Sequence, residues 1–234
     1  MRSYYDLHMH SCLSPCASND MTPNNIVNMC RLTGLNTIAL TDHNTSLNCQ
    51  AVEKLCREHG ICFVPGMELS TSEEIHVVCL FKTLEKANEF GAYVEKHQMH
   101  IQNRPDIYGE QIIMNRLDEP TGKLSRLLWV ATDISIMSVK MLTEQYGGTC
   151  FPAHIDRQSN SVISILGDIP VECGFKTAEI ADERNLKTLK NKFTVLNQYK
   201  ILFNSDAHTL DKIKEKGDFF EIDCLTPDSI INYL

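Results

Sequence analysis

A chain of 234 residues, 43% of them apolar, is long enough to bury a sizeable core as a single domain. No apolar stretch approaches the roughly 18 residues of a membrane span, and Met1-Arg2-Ser3-Tyr4 runs straight into a strand pattern without the apolar core of a signal peptide, so a cytoplasmic protein with no membrane partner is expected. A net charge of −8 argues against a broad surface for duplex nucleic acid, which takes clustered Lys and Arg, but leaves room for a nucleotide or short oligonucleotide.

The first short run, Ser3-Tyr4-Tyr5-Asp6-Leu7, reads as a buried strand and ends in His8-Met9-His10. Two imidazoles two residues apart on extended backbone point the same way, which suits two bonds to one metal centre. Asp6 offers a carboxylate to orient a ring. Thr22-Pro23 pairs an N-cap with a proline at the first helical position, Ile26, Val27, Met29 and Cys30 supply the apolar face, and Gly34 ends the helix. Thr37-Ile38-Ala39-Leu40 is a second strand, ending in Thr41-Asp42-His43. A helix from Ser46 to His59 follows, with Gly60 as its terminator. Ile61-Cys62-Phe63-Val64 leads to Gly66-Met67-Glu68, Glu74 to Phe81 reads as a fourth strand carrying His76, and a helix runs from Thr83 to about His100.

Between about 102 and 142 the periodicity lapses. Asn103-Arg104-Pro105-Asp106 and Asp118-Glu119-Pro120-Thr121-Gly122 are turn material, and Leu127-Leu128-Trp129-Val130 lies between helical pieces; the stretch reads as an elaboration, a lid or a dimer contact. Cys150-Phe151-Pro152-Ala153 then leads to His154, Thr177 to Ile180 is a short strand, and Ile201-Leu202-Phe203 ends in Asn204-Ser205-Asp206-Ala207-His208. Thr226-Pro227 repeats the cap signature and starts a closing helix.

About seven strands in βα alternation are the pattern of a parallel barrel or open sheet. In an α/β barrel the C-terminal strand ends converge on one mouth, so these distant imidazoles and carboxylates would meet there. They are the ligand types of Zn, Mn or Fe. The ten cysteines are scattered, mostly within apolar runs, and read as reduced, buried small hydrophobes, with Cys12-Leu13-Ser14-Pro15-Cys16 the one close pair. Glu58, His59, His97 and His100 fall on helix faces. No phosphate-binding glycine loop, dinucleotide fingerprint or serine-hydrolase elbow is present.

Asp6-Leu7-His8-Met9-His10-Ser11, Thr41-Asp42-His43-Asn44, Pro65-Gly66-Met67-Glu68, Ala153-His154 and Asn204-Ser205-Asp206-Ala207-His208 together resemble the signature motifs of the PHP (polymerase and histidinol phosphatase) superfamily, in the family's order and over nearly the whole chain. The resemblance implies one α/β domain over residues 1–234, a distorted (βα)7 barrel with the elaboration inserted between about 102 and 142. It also implies two or three divalent metal ions (Mn, Zn or Fe) and hydrolysis of a phosphomonoester or phosphodiester. Carried over by position, His8 and His10 are similar to ligands of the first metal, and Glu68 to the carboxylate that bridges two metals. His43, His154, Asp206 and His208 are similar to further ligands, and His76 to a histidine that binds metal or faces the phosphate. Glu68, Asp206 and His208 are the expected catalytic groups.

One place departs from the pattern. Five residues after the second histidine the family commonly has an Asp in a Ser-Asp-Gly turn; here Ser14-Pro15-Cys16 stands there, leaving Asp20 or Cys16 as the replacement ligand. Arg157, three residues after His154, is a candidate phosphate clamp, because a guanidinium fork matches two phosphate oxygens. The implied chemistry is a metal-activated water, with an Asp or His protonating the leaving oxygen. The expected substrate is a small phosphate ester, a nucleotide or a short oligonucleotide. A histidinol-phosphate phosphatase and a non-catalytic metal-binding regulatory module are the alternatives.

Overall fold

A computed structural model describes residues 1–234. In chain order the elements are β1 (Arg2–Asp6), α1 (Pro23–Leu32), β2 (Thr37–Leu40), α2 (Cys49–His59), β3 (Cys62–Ser70), β4 (His76–Phe81), α3 (Leu84–His97), α4 (Pro105–Tyr108), β5 (Ile112–Met114), β6 (Pro120–Lys123), α5 (Ile136–Gln145), β7 (Gly148–Pro152), α6 (Val162–Leu166), β8 (Thr177–Glu179), α7 (Leu186–Lys192), β9 (Lys200–Leu202), β10 (Phe219–Glu221) and α8 (Pro227–Tyr233). The helix ends follow the capping chemistry in the sequence. Thr22, Thr83 and Thr226 each accept a backbone N–H from three residues on, and Gly60 ends α2 at φ 68°, a left-handed conformation that glycine adopts without a Cβ clash.

Six strands form one curled sheet in the order β10-β1-β2-β3-β4-β7, and β8 and β9 form a separate parallel pair. Single contacts continue the curl past β7: Ile155 N–H donates to Glu179 O at 2.9 Å, Ile180 N–H to Leu202 O at 3.0 Å, and His10 N–H to Ala207 O at 3.0 Å. The result is a half-barrel within a mixed α/β fold. Strict βα alternation fails at β4, which runs antiparallel to both β3 and β7. Only residues 71–75 join β3 to β4, and a parallel crossover needs about a dozen residues. Strand β10, antiparallel to β1 at the sheet edge, was not anticipated from the sequence. Within the irregular stretch lie α4 and a β5–β6 hairpin, while α5 belongs to the body of the fold through buried Ile136 and Val139.

Alternation along the strands positions the site. Tyr5, Leu7, Ala39, Val64, Val78, Leu80, Phe151 and Leu202 fill the interior, and Phe220, Ile230, Ile231 and Leu234 from β10 and α8 close its far end. Each valine, leucine, isoleucine or phenylalanine among them contributes roughly 1.5–3 kcal/mol relative to exposure. The opposite strand face carries Ile38 and Leu40 toward α1 and α2, and Val77, Cys79 and Phe81 toward α3 and α5. Residues in step with the inward set at the other end of the strands are Glu68 (after Val64 and Gly66), His76 (before Val78) and Asn204 (after Leu202). Gly66 is needed for close approach, since a Cβ there would stand 2.6 Å from Cys79 O and 2.7 Å from Leu80 Cδ2. All ten cysteines are free, and Cys12 and Cys16 do not pair. No helix is long and apolar enough to cross a membrane.

Candidate metal centre

The polar end of the interior gathers buried imidazoles around two carboxylates. His8 Nε2 stands 3.3 Å from Glu68 Oε1 and 3.2 Å from Asp206 Oδ1, and His10 Nε2 stands 3.3 Å from Glu68 Oε2 and 3.1 Å from Asp206 Oδ1. On the far side of Glu68, His43 Nδ1 and His76 Nδ1 are each 3.0 Å from its oxygens, and His154 Nε2 is 3.2 Å away. Three groups of donor atoms each lie within 4.8 Å of one another: His8, His10, Glu68 and Asp206; His43, Glu68 and His76; and His10, His43 and His208. Glu68 is shared by the first two.

The donor set fits divalent cations. Asp206 Oδ1 and His43 Nδ1 are buried and in no hydrogen bond, despite the short distances to their neighbours. Buried polar atoms without partners are costly, and a cation between them would satisfy them. The backbone is also held out of its preferred regions here, with positive φ at Asn44 (53°), His154 (31°) and Asp206 (48°). Such conformations cost about 1–3 kcal/mol each and persist where surrounding contacts enforce them. At His154 the enforcing contact is its N–H, which donates to Glu179 Oε1 at 3.0 Å.

The charges interlock. Burial opposes charge on His8, but Glu179, Asp206 and Glu68 outweigh it and raise its pKa well above the ordinary value. His10 is pushed up to about 9, burial again being outweighed by Asp206 and Glu68. Burial alone would raise the carboxylates; the neighbouring imidazoles instead hold Glu68 well below the usual range and lower Asp206. Burial lowers His43, and burial followed by the charge of His10 lowers His208 to about 4. In the metal-free protein, protons on His8 and His10 thus stand where a divalent ion would balance Glu68 and Asp206.

The histidines and acids singled out from the sequence divide clearly. His8, His10, His43, Glu68, His76, His154 and Asp206 are brought together and buried; His208 sits at the rim, its side chain 30% exposed. Arg157 is at the mouth with Nη1 2.6 Å from Asp206 Oδ2, so it touches a candidate ligand as well as open space. Asp20 is not brought to the site: it is exposed, on the loop before α1, and outside every donor group. Cys16 lines the small cavity of about 170 Å³ at the centre, with its thiol pushed up by burial and by Glu68 and Asp206. Asp6 does not orient a ring; its Oδ1 accepts from Ser205 N–H at 3.1 Å.

Ring orientation falls instead to residues the sequence did not single out. Glu179, buried at the end of β8, places both oxygens 3.0 Å from His8 Nδ1 and also accepts from Asn204 Nδ2 at 2.7 Å. Ser14 Oγ lies 3.0 Å from His10 Nδ1 and donates to Asp42 at 2.7 Å, while Asp42 also accepts the N–H and hydroxyl of Ser11. Carboxylates and hydroxyls behind an imidazole fix its tautomer and direction. Glu179 occupied a strand end like the other site acids, and that was its only sequence signal.

A family profile described as PHP domain matches residues 6–136. Over 83 residues the chain is 36% identical to a 5'-3' exoribonuclease of Haemophilus influenzae, a match covering 34% of this chain and 29% of that protein. Endonuclease Q of Pyrococcus furiosus superposes with a TM-score of 0.67 at 20% identity, covering 99% of this chain and 55% of that one. A Bifidobacterium adolescentis protein assigned as a metal-dependent phosphoesterase superposes with a TM-score of 0.61 at 16% identity, covering 99% of this chain and 95% of that one. At these identities the structural likeness is one of fold. The chain spans less than a third of the curated relative and about half of the endonuclease. With more than half of the sequence matched by the profile, the chain belongs to the PHP domain family.

Proposed function

We propose that the protein is a metal-dependent phosphoesterase acting on a small phosphate ester, a nucleotide or the 5′ end of a short oligonucleotide. The observation that carries this is the buried convergence of His8, His10, Asp206, His43, His76 and His154 on Glu68, with buried donor atoms left outside any hydrogen bond. His8, His10 and Asp206 would hold one ion, His43 and His76 a second, and Glu68 would bridge them; His154 stands beside Glu68 as a further ligand, and His10, His43 and His208 offer a third position. Mixed imidazole and carboxylate donors suit Mn, Zn or Fe. When bound, such ions supply a water of lowered pKa and neutralise charge on the phosphate oxygens.

The chain's own groups do the rest. Glu179 and Ser14 hold the His8 and His10 rings in the orientation that presents Nε2 to the centre. Arg157, 44% exposed at the mouth, can turn from Asp206 to clamp a phosphate oxygen. His208, lowered to about 4, is neutral near pH 7 and so is free to serve as a ligand at the rim. Glu68 and Asp206, both held ionised, fix the charge that the centre must balance.

A neighbouring fold, endonuclease Q, has been solved with a 27-mer duplex carrying an abasic lesion, so the fold accommodates a duplex in that protein. For this chain the net charge of −8 and the single arginine at the mouth support a short substrate. The test is turnover of phosphomonoesters, nucleotides, histidinol phosphate and 5′-labelled oligoribonucleotides by metal-loaded protein. Chelation should abolish it and Mn or Zn restore it; full turnover in verified metal-free protein would overturn the proposal.

A further inference from the structure

We propose that the large cavity beside the metal centre is a nucleobase subsite with Trp129 as its stacking surface, which makes the hydrolysed ester a nucleotide. This rests on the phosphoesterase reading above. The central niche, about 170 Å³, suits little more than a phosphate group and its ions. A second cavity of about 900 Å³ adjoins it, and His76, Trp129 and Asn160 line both. Sites for small organic ligands run about 300–1,000 Å³, so the second cavity is where the remainder of an ester held in the niche would lie.

Trp129 is the chain's one tryptophan and is 44% exposed. Its ring lies within 14° of parallel to that of His43, with centroids 6.4 Å apart. The loop carrying it is fixed on both sides. Asn44 Nδ2 donates to Leu128 O at 2.8 Å and Val130 O at 3.0 Å, and Gln98 Nε2 donates to the same two carbonyls at 2.8 and 3.0 Å. Both amides are buried, and Asn44 directly follows the candidate ligand His43. An exposed indole carried on a backbone held in place next to a phosphate-cleaving centre offers a stacking face without the cost of ordering its loop. The cavity's charges, Glu74 and Asp133 against Lys96, do not favour a run of phosphates, and Met99 and Tyr108 add apolar surface. A neutral planar ring fits that lining, and base–aromatic stacking needs no particular base.

Because Trp129 is unique, its fluorescence reports on the subsite directly. Adenosine monophosphate should quench it saturably, while glycerol 2-phosphate, which lacks a base, should not. Trp129→Ala should raise KM for adenosine monophosphate about tenfold or more beyond any change it causes with glycerol 2-phosphate, and be largely rescued by Trp129→Phe. Unchanged fluorescence with the nucleotide, or equal loss on both esters, would overturn the subsite. Tighter binding and stronger quenching by histidinol phosphate would overturn its assignment to a nucleobase. If the wild type turned over none of these esters and no 5′-labelled oligoribonucleotide, the phosphoesterase reading would fail, and the fluorescence titration, which needs no turnover, would still decide the subsite.

Discussion

Glu179→Gln removes one charge behind His8 while preserving shape, and the surroundings make it worse than a simple loss of charge. Oε1 accepts the His154 N–H at 3.0 Å, Oε2 accepts Asn204 Nδ2 at 2.7 Å, and both lie 3.0 Å from His8 Nδ1. Whichever way a glutamine amide turns, its NH₂ faces a donor, either the His154 backbone or the Asn204 side chain. Loss of a carboxylate behind a metal-binding imidazole typically lowers metal affinity about 10–100-fold, which is about 1.4–2.8 kcal/mol at 1.4 kcal/mol per decade. The control is Glu58→Gln, whose partner Arg116 is 3.4 Å away with both side chains half exposed; such pairs are worth about 0–1 kcal/mol. Competition with a chromogenic chelator would read the Kd for Mn²⁺ or Zn²⁺. A Glu179→Gln Kd within about twofold of wild type would refute the role given to this carboxylate.

Metal binding should tighten with rising pH. His8 and His10 hold protons in the metal-free protein, His10 up to about 9, so binding must displace them, and log affinity should climb by about one per pH unit for each proton displaced; a flat profile from pH 6 to 9 would contradict this. The sign for folding is opposite: a raised folded-state pKa stabilises below the ordinary imidazole value, and that stability is lost as pH rises through about 9, so Tm of metal-free but not metal-loaded protein should fall over that range. Asp20→Asn and Cys16→Ser should each leave metal affinity within about twofold, measured by the same competition, because neither side chain is among the grouped donors. Arg157→Ala should raise KM about tenfold, the scale of a hydrogen bond to a charged group, with metal content unchanged by elemental analysis.

Much of the site was legible because strand alternation and strand ends are local signals. His8, His10, His43, Glu68, His154 and Asp206 each followed a short apolar run, and the structure places each at the polar end of the interior. His76 was ambiguous from sequence, since a strand histidine can face either side; its step with Val78 and Leu80 turns it inward. Glu179 escaped notice because β8 is three residues long and the acid belongs to no motif. The antiparallel turn of β4 was readable in principle, as five residues cannot carry a crossover helix. Proximity in sequence does not bring Asp20 to the site: Asn25 Nδ2 ties its carbonyl to the start of α1, on the exposed side of the loop. Trp129 sits where no periodicity exists, and long-range contacts such as those of the Asn44, Gln98 and Gln111 amides with its neighbours define its position.

The most direct test is the metal content of the purified protein, by elemental analysis, beside that of Glu68→Gln. Glu68 stands between both main donor groups, so losing its charge should weaken two ion positions at once. About two or three transition-metal ions per chain are expected in the wild type, with at least one lost in Glu68→Gln and turnover reduced about a hundredfold or more. A wild type that binds no metal after incubation with Mn²⁺, Zn²⁺ or Fe²⁺, or a Glu68→Gln protein that keeps a full complement and full turnover, would contradict it.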